Sequence, residues 1–410
     1  MNLQFNDDFF RWIEEHHNEN PAVLRLKWAG RPLPFDLDAA LIQIECRKKC
    51  AGKLSDTLGT SPRFYFPSIL SAEQSTSDRL ASFHSSLITE GGSVVDLTSG
   101  LGIDALHFAS RAAEVTACER NKTLVDALNY NAEQLHLSDI LKCISGDCRE
   151  LATEGADNGH RFDGAFIDPA RRAADGSRVY ALAECEPDVI SLLPVLSKIA
   201  GLLVIKMSPM LDITHTDKEL GEKASAIIAL GTPAECKELI ALIDLGNPRP
   251  AGTSLLIEAT TLTAAGSACT ISFTASEEKD AECQSGEAKA GDYIYEAWPA
   301  VMKSGAGRLL AARFGLRTFH ANTRLYHSGN LKDDFPGDIF EVQEVLPYAS
   351  RIIKRFARKY PQISVAARNF GISADELRKR LGTKEGSGTL RVYGLTDACG
   401  ERILIVCRKI

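Results

Sequence analysis

Between residues 93 and 206 short apolar runs alternate with helical patterns, and this alternation restricts the chain to a mostly parallel sheet covered by helices. Strands are expected over 93–97, 114–118, 140–145, 164–167 and 202–206, with helices over 103–111, 122–135 and 189–199. Right-handed crossovers then place every strand C-terminus on one edge, where such sheets bind ligands. Two more apolar stretches, 226–230 and 239–243, can close the sheet as an antiparallel hairpin. The sharpest local signal is Val94-Val95-Asp96-Leu97-Thr98-Ser99-Gly100-Leu101-Gly102, a buried run that ends on a carboxylate and breaks into glycines before a helix restarts at Ile103. Bare backbone at Gly100 and Gly102 can approach a ligand closely, with a helix N-terminus aimed at it.

Four successive strands run into an acid: Asp96, Glu119, Asp147 and Asp168. Glu119 follows Gly102 by 17 residues, where a carboxylate can accept both hydroxyls of a ribose. Asp147, followed by Cys148, stands where the amino group of a base would be met. The glycine turn alone leaves two ligand classes open. Gly100-x-Gly102-x-x-Ala105 satisfies the dinucleotide fingerprint with Ala in its last place, which would make the chain an NAD-dependent oxidoreductase. Yet Asp96 precedes the glycines, and that fingerprint has no duty for Asp147 or Asp168.

The series Asp-x-x-x-Gly-x-Gly, Glu119, Gly146-Asp147 and Asp168-Pro169 resembles class I S-adenosylmethionine-dependent methyltransferases. Asp96-Leu-Thr-Ser-Gly-Leu-Gly is similar to a motif of bacterial ribosomal RNA guanine-N2 methyltransferases, and Glu119-Arg120-Asn121 extends the likeness. The resemblance implies an α/β fold built on a Rossmann-like, seven-stranded sheet, with S-adenosyl-L-methionine as cofactor. It implies that Asp96 is a cofactor residue, that the turn of Thr98, Ser99, Gly100 and Gly102 holds the methionine part, that Glu119 holds the ribose, and that Asp147 meets the adenine amino group with Cys148 beside the ring. Thr98 stands where most members carry the first glycine. Residues 74–77 fall where related enzymes close over the cofactor, although Ser75 or Ser77 as a plain helix cap is the simpler reading.

Asp168-Pro169-Ala170-Arg171 resembles the Asp/Asn-Pro-Pro-aromatic motif of amino-group methyltransferases. The resemblance implies that the Asp168 carboxylate and the Pro169 carbonyl hydrogen-bond an amine and localise its lone pair. Ala170 and Arg171 depart from the motif, and Arg171 and Arg172 can instead grip a phosphate or carboxylate. Lys206, on the same edge with Ser208 and Pro209, reads either as a substrate-side residue or as an ion-pair partner.

The net charge of −7 hides an asymmetry. Residues 351–410 hold 14 Lys and Arg against 5 Asp and Glu, a balance of +9, which leaves −16 on the other 350 residues. Arg351, Lys354, Arg355, Arg358 and Lys359 share one helical face, with Ile352, Ile353 and Phe356 turned elsewhere as anchors, and Arg368, Arg378, Lys379 and Arg380 add to the cluster. Five like charges undiluted by Glu repel one another, which suits contact with a phosphate backbone. The segment from about 340 to 410 resembles a THUMP-like domain, and 293–335 the small ferredoxin-like piece that precedes one. That resemblance implies RNA (rRNA or tRNA) as partner.

The expected layout is a helical region over 1–80, a methyltransferase domain over 81–265, a linker and small ferredoxin-like domain over 266–335, and a basic THUMP-like domain over 336–410. Residues 274–291 are polar and read as a loop, and 293–335 show one helix, at 306–314. The eleven cysteines include no C-x-x-C pair, so no metal site is expected. No stretch has the layout of a signal peptide, and 190–207 is interrupted by Pro194, Ser197, Lys198, Gly201 and Lys206, so no membrane span and a cytoplasmic location are expected. The reading is an RNA methyltransferase acting on a base nitrogen, with an oxidoreductase and a non-catalytic RNA-binding scaffold as rivals.

Overall fold

A computed structural model describes residues 5–171, 181–264, 266–320 and 322–410. The chain divides into two compact units, Met1–Ser225 with Ile240–Thr253, and Ala226–Leu239 with Ser254–Ile410.

The first unit opens with helices α1 (Asp7–His16), α2 (Pro21–Trp28), α3 (Leu37–Cys50), α4 (Ser55–Thr60), α5 (Ile69–Gln74) and α6 (Asp78–Ser86). Asn6, Asn20, Asp36, Ser68 and Ser77 each accept a first-turn N–H, which is why α1, α2, α3, α5 and α6 begin where they do. Phe9, Trp12, Leu24, Leu41 and Ile44 bury the shared face of the first three helices.

Alternating elements follow: β1 (Ser93–Asp96), α7 (Ile103–Ala109), β2 (Glu114–Glu119), α8 (Lys122–Gln134), β3 (Leu141–Ser145), α9 (Cys148–Asp157) and β4 (Phe162–Ile167). A two-residue pair, β5 (Ala170–Arg171) with β6 (Cys185–Glu186), precedes α10 (Val189–Ile199), β7 (Ala200–Met207) and α11 (Ile213–Glu219). Then come β8 (Ala226–Gly231) and β9 (Cys236–Asp244), a hairpin closed by Thr232 N–H on the Glu235 carbonyl at 2.8 Å. In the first unit the strand order is β9-β7-β4-β1-β2-β3, and β7, β4, β1, β2 and β3 pair in parallel. Val94, Val95, Ala165, Phe166, Leu203, Val204 and Ile205 are all buried, the continuous apolar runs of strands covered on both faces. Helix α9 has no counterpart in the sequence reading, because its buried stripe is only Cys148 and Ala152.

In the second unit β8 pairs in parallel with β10 (Leu256–Leu262), which pairs antiparallel with β11 (Ala268–Thr274). Two strands thus lie beyond the seven expected. The loop expected over 274–291 holds a helix, α12 (Ala275–Asp280), which buries no residue and so leaves no apolar period, only its Thr274–Glu277 capping box. Next come β12 (Tyr293–Ala297), α13 (Pro299–Ser304), α14 (Arg308–Phe314), β13 (Arg317–Thr318) and β14 (Tyr326–Ser328), far more than the single helix the periodicity of 293–335 predicts. Finally β15 (Gly337–Pro347), α15 (Ser350–Lys359), β16 (Ser364–Arg368), α16 (Ala374–Leu381), β17 (Leu390–Thr396) and β18 (Arg402–Lys409) complete a sheet of order β13-β14-β12-β15-β18-β17-β16. Its two faces bury Ile294, Phe340, Tyr393 and Ile405 on one side and Phe356, Leu377, Val392 and Leu404 on the other.

Candidate functional site

The four strand-end acids do not form a level row. Asp96 pairs with Ala117 on one side and Phe166 on the other, so Glu119 and Asp168 lie two residues further along their strands. Asp147 lies two residues beyond Ser145, the partner of Glu119. One pleat repeat below the rim, Asp96 is fully buried. Thr98 occupies its place at the rim, and Thr98 Oγ1 accepts the Asp168 N–H at 2.7 Å. Leu97 N–H donates to the Phe166 carbonyl (2.9 Å) and Ser99 N–H to the Cys118 carbonyl (3.0 Å), which fastens the turn to both neighbouring strands. A threonine where a glycine is usual is therefore the residue that ties β1 to Asp168.

Gly100 and Gly102 are required for different reasons. Gly100 has φ +54°, and its N–H donates to Glu119 Oε2 at 2.9 Å while Asn121 N–H donates to Glu119 Oε1 at 2.7 Å. A Cβ on Gly100 would meet nothing within 4 Å. Gly102 has φ +88°, and a Cβ there would fall 2.3 Å from Leu128 Cδ1 of α8. Gly102 lets a helix pack; Gly100 leaves space above the backbone.

Electrostatics divides the acids. Asp96 Oδ1 accepts Thr98 N–H at 3.1 Å, and Oδ2 is buried with no partner among the described residues. Burial pushes this carboxyl well above the ordinary 3.8, and the charges of Asp104, Asp168 and Glu119 push the same way. Burial also works to raise Asp104, but His84, Lys206 and Thr76 outweigh it and hold Asp104 at about 2. The Arg149 side chain, by hydrogen bonds of 2.7–3.2 Å, and Arg120 at 3.0 Å hold Asp147 at about 2. Burial raises the Cys148 thiol to about 11, so it stays neutral and packs rather than reacts. Lys206 Nζ donates to Asp168 Oδ2 at 2.6 Å, so of its two readings the ion pair is the one realised.

A cavity of about 250 Å³ opens over the turn. Thr98, Ser99, Gly100, Gly102 and Asp168 line it, as do Gln74, Ser75 and Thr76. The neighbourhood of 74–77 is thus divided: Ser77 caps α6, while the three residues before it face the turn. Asp96, Glu119, Asp147 and Cys148 are not part of this lining. Ser68, Leu70, Ser71, Asp104, Asn121 and Leu124 are, and the sequence reading gave none of them a part in the site. Asp104 left one signal, a charged residue between Ile103 and Ala105 on the buried face of a helix.

Comparison with known proteins identifies the family. The crystal structure of a protein from Porphyromonas gingivalis W83 described as a methyltransferase matches over 99% of this chain and 100% of its own length, with 31% identity and a TM-score of 0.86. This chain belongs to the class I methyltransferases that carry a THUMP-like domain. Three family models match the methyltransferase in turn: Conserved hypothetical protein 95 over 76–183, a ferredoxin-like domain over 293–336 and a THUMP domain-like model over 337–409. An uncharacterized RNA methyltransferase of Mycoplasma mobile is 29% identical over 106 residues, 26% of this chain, and the chain spans 28% of that relative's length. The S-adenosylmethionine-dependent methyltransferase of Agrobacterium tumefaciens aligns at 14% identity over 48% of this chain and 58% of that one, with a TM-score of 0.30.

Of the methyltransferase's arginines after Pro169, Arg171 has its backbone in β5, and Arg172 lies outside the described residues. Pro169 itself is buried. On α15, Arg351, Lys354, Arg355, Arg358 and Lys359 are all exposed, and Phe356 is buried beneath them. Lys359 pairs with Glu344. The wider basic cluster is smaller than its sequence suggests: Arg368 pairs with Glu296, Arg378 with Asp375 and Glu385, and Arg380 with Glu376. Asp375, Glu376 and Glu385 neutralise it from nearby in sequence, and Glu296 from 72 residues away. Among the described residues no helix is long and apolar enough to cross a membrane, and no group of His, Cys, Asp and Glu could hold a metal.

Proposed function

We propose that this chain transfers a methyl group from S-adenosylmethionine to RNA, at a nitrogen of a base. The observation that carries the proposal is Asp168, fastened by Thr98 and Lys206, lining the same cavity as the Gly100–Gly102 turn. Asp104, Glu119 and Asp168 stand at the site with Lys206 as the opposing cation, a field that favours a ligand carrying a sulfonium and an ammonium. The pyrophosphate of NAD would add negative charge to the same acids, which argues against the oxidoreductase. At about 250 Å³ the cavity is below the roughly 300 Å³ of a typical complete ligand site, so it suits the methionine end, with the nucleoside lying outward toward Glu119 and Asp147.

In this reading Thr98, Ser99, Gly100 and Gly102 surround the methionine part, with Asp96 buried beneath them. Each Glu119 oxygen, already holding one backbone N–H, keeps a lone pair for a ribose hydroxyl. Asp147, shared with Arg149, accepts from the adenine amino group, and Cys148 packs beside the ring. The bound cofactor supplies an electrophilic methyl on sulfur. The Asp168 carboxylate and Pro169 carbonyl accept hydrogen bonds from the target amine and aim its lone pair. As the N–C bond forms and the S–C bond breaks, the amine's proton passes to Asp168 and on to water. Arg171, Arg172 and the α15 cations hold phosphates of the RNA.

The test is transfer of labelled methyl to total RNA from a strain lacking the protein, with Asp168→Ala as control, followed by nucleoside mass spectrometry. Label in RNA that the control abolishes is expected. Label in protein or small molecules would refute the RNA substrate, and tight NAD binding without S-adenosylmethionine binding would refute the enzyme class.

A further inference from the structure

Behind Asp168 runs a chain of hydrogen bonds that methyl transfer does not by itself demand. Lys206 Nζ, at the end of β7, donates to Asp168 Oδ2 at 2.6 Å and to Thr76 Oγ1 at 3.1 Å. Thr76 Oγ1 donates to Asp104 Oδ2 at 2.5 Å, and Asp104 Oδ1 lies 2.7 Å from His84 Nδ1. An ammonium has no lone pair and a hydroxyl has one hydrogen, so the direction is forced from Lys206 through Thr76 to Asp104. Thr76, Asp104 and His84 are buried, and Lys206 keeps 15% of its side chain exposed. In such surroundings each link is worth more than at the surface, and each broken link costs more.

The chain of bonds joins two parts of the site. Asp168 stands at the tip of β4. Thr76 lies between α5 and α6, in the segment that with Gln74 and Ser75 lines the cavity over the glycine turn. Lysine suits the junction, since its point charge carries three donors on a flexible stem and can serve two acceptors that face it from different elements. The buried His84–Asp104 pair supplies the fixed end, on α6 and the first turn of α7.

We propose that Lys206 is a positioning residue that couples the 74–76 segment over the methyl donor to the alignment of Asp168, with the Thr76 hydroxyl as the link. The inference rests on Asp168 being the amine acceptor. When the segment sits against the turn, Thr76 draws Lys206 to a defined place, and Lys206 turns the Asp168 carboxylate. With the link cut, Lys206 still pairs with Asp168 but loses the bond that ties it to the 74–76 segment, so binding of the donor and readiness for the amine become separate events.

The experiment uses the full chain as Thr76→Val, Thr76→Ser and Lys206→Met. S-adenosylmethionine affinity is read by calorimetry, and single-turnover methyl transfer to RNA is read at saturating cofactor. Valine keeps the shape of threonine without its hydroxyl. Thr76→Val is expected to slow transfer about tenfold and weaken cofactor binding about threefold, Thr76→Ser to restore both, and Lys206→Met to lose the rate with a smaller effect on cofactor affinity. Wild-type transfer rates in Thr76→Val and Lys206→Met would overturn the coupling and leave the methyltransferase reading standing. Losses that serine fails to restore would overturn the hydroxyl link. Should the native chain bind S-adenosylmethionine but label no RNA, the substrate reading fails, and the affinity arm still decides: a cofactor affinity unmoved by Thr76→Val would overturn the coupling.

Discussion

Replacing each glycine of the turn by alanine separates packing from ligand approach. At Gly102 the left-handed backbone costs an L-residue about 1–2 kcal/mol, and the added methyl enters the space of Leu128, whose three nearest side-chain carbons would be 2.3, 2.8 and 2.9 Å away. Leu128 is fully buried, so it can yield only by repacking α8, which adds about 1–3 kcal/mol. Gly102→Ala should therefore cost about 2–5 kcal/mol and lower the thermal midpoint of the first unit by roughly 4–20 °C. At Gly100 the φ is also positive but the space is open, so Gly100→Ala should cost only the backbone part, about 1–2 kcal/mol. The order reverses for the ligand: the Gly100 methyl lies at the cavity and should weaken cofactor binding more than its stability cost suggests. The assay is thermal unfolding by circular dichroism beside calorimetric titration with S-adenosylmethionine. A double variant with Leu128→Ala isolates the clash, since the two costs should then sum to about 1–3 kcal/mol less than they do separately. Equal destabilisation by the two alanines, or additive costs in the double variant, would refute the reasoning.

Two other outcomes follow from charge. Folding raises the Asp96 carboxyl, so its contribution to stability is full below the ordinary 3.8 and is lost as pH rises through its raised value; Asp96→Asn should flatten that loss in unfolding measured from pH 4 to 9. A cationic donor should drive the proton off Asp96, and calorimetry in buffers of different ionisation enthalpy should show proton release that Asp96→Asn abolishes; no release from the native chain would count against Asp96 as a cofactor residue. On α15, Arg351, Lys354, Arg355 and Arg358 have no ion pair among the described residues. Changing all four to Ala should reduce the salt slope of RNA binding by about 3, at roughly 0.7–0.9 per phosphate, while cofactor affinity holds; an unchanged slope would remove α15 from the RNA surface.

The parallel sheet and its glycine turn were legible because both are local. Buried strands show as apolar runs, and a turn that needs positive φ shows as glycine. The short amphipathic or fully exposed pieces were not, since α9 and α12 bury too little to leave a period. The basic surface was overcounted for a complementary reason. Arg368 is bare in sequence, but Glu296 lies against it in the fold, 72 residues away.

The candidate site divides in the same way. Sequence alone determined which residue types gather at the sheet edge, because chain order and the right-handed crossover put strand ends together whatever their side chains do. Register, burial and partners belong to the tertiary structure. It set Asp96 one pleat below the rim, put Thr98 in its place, and brought Lys206 and Thr76, 130 residues apart, into contact beside Asp168. Strand pairing and desolvation act between segments that the linear chain does not compare, so no pattern within either segment could have announced them.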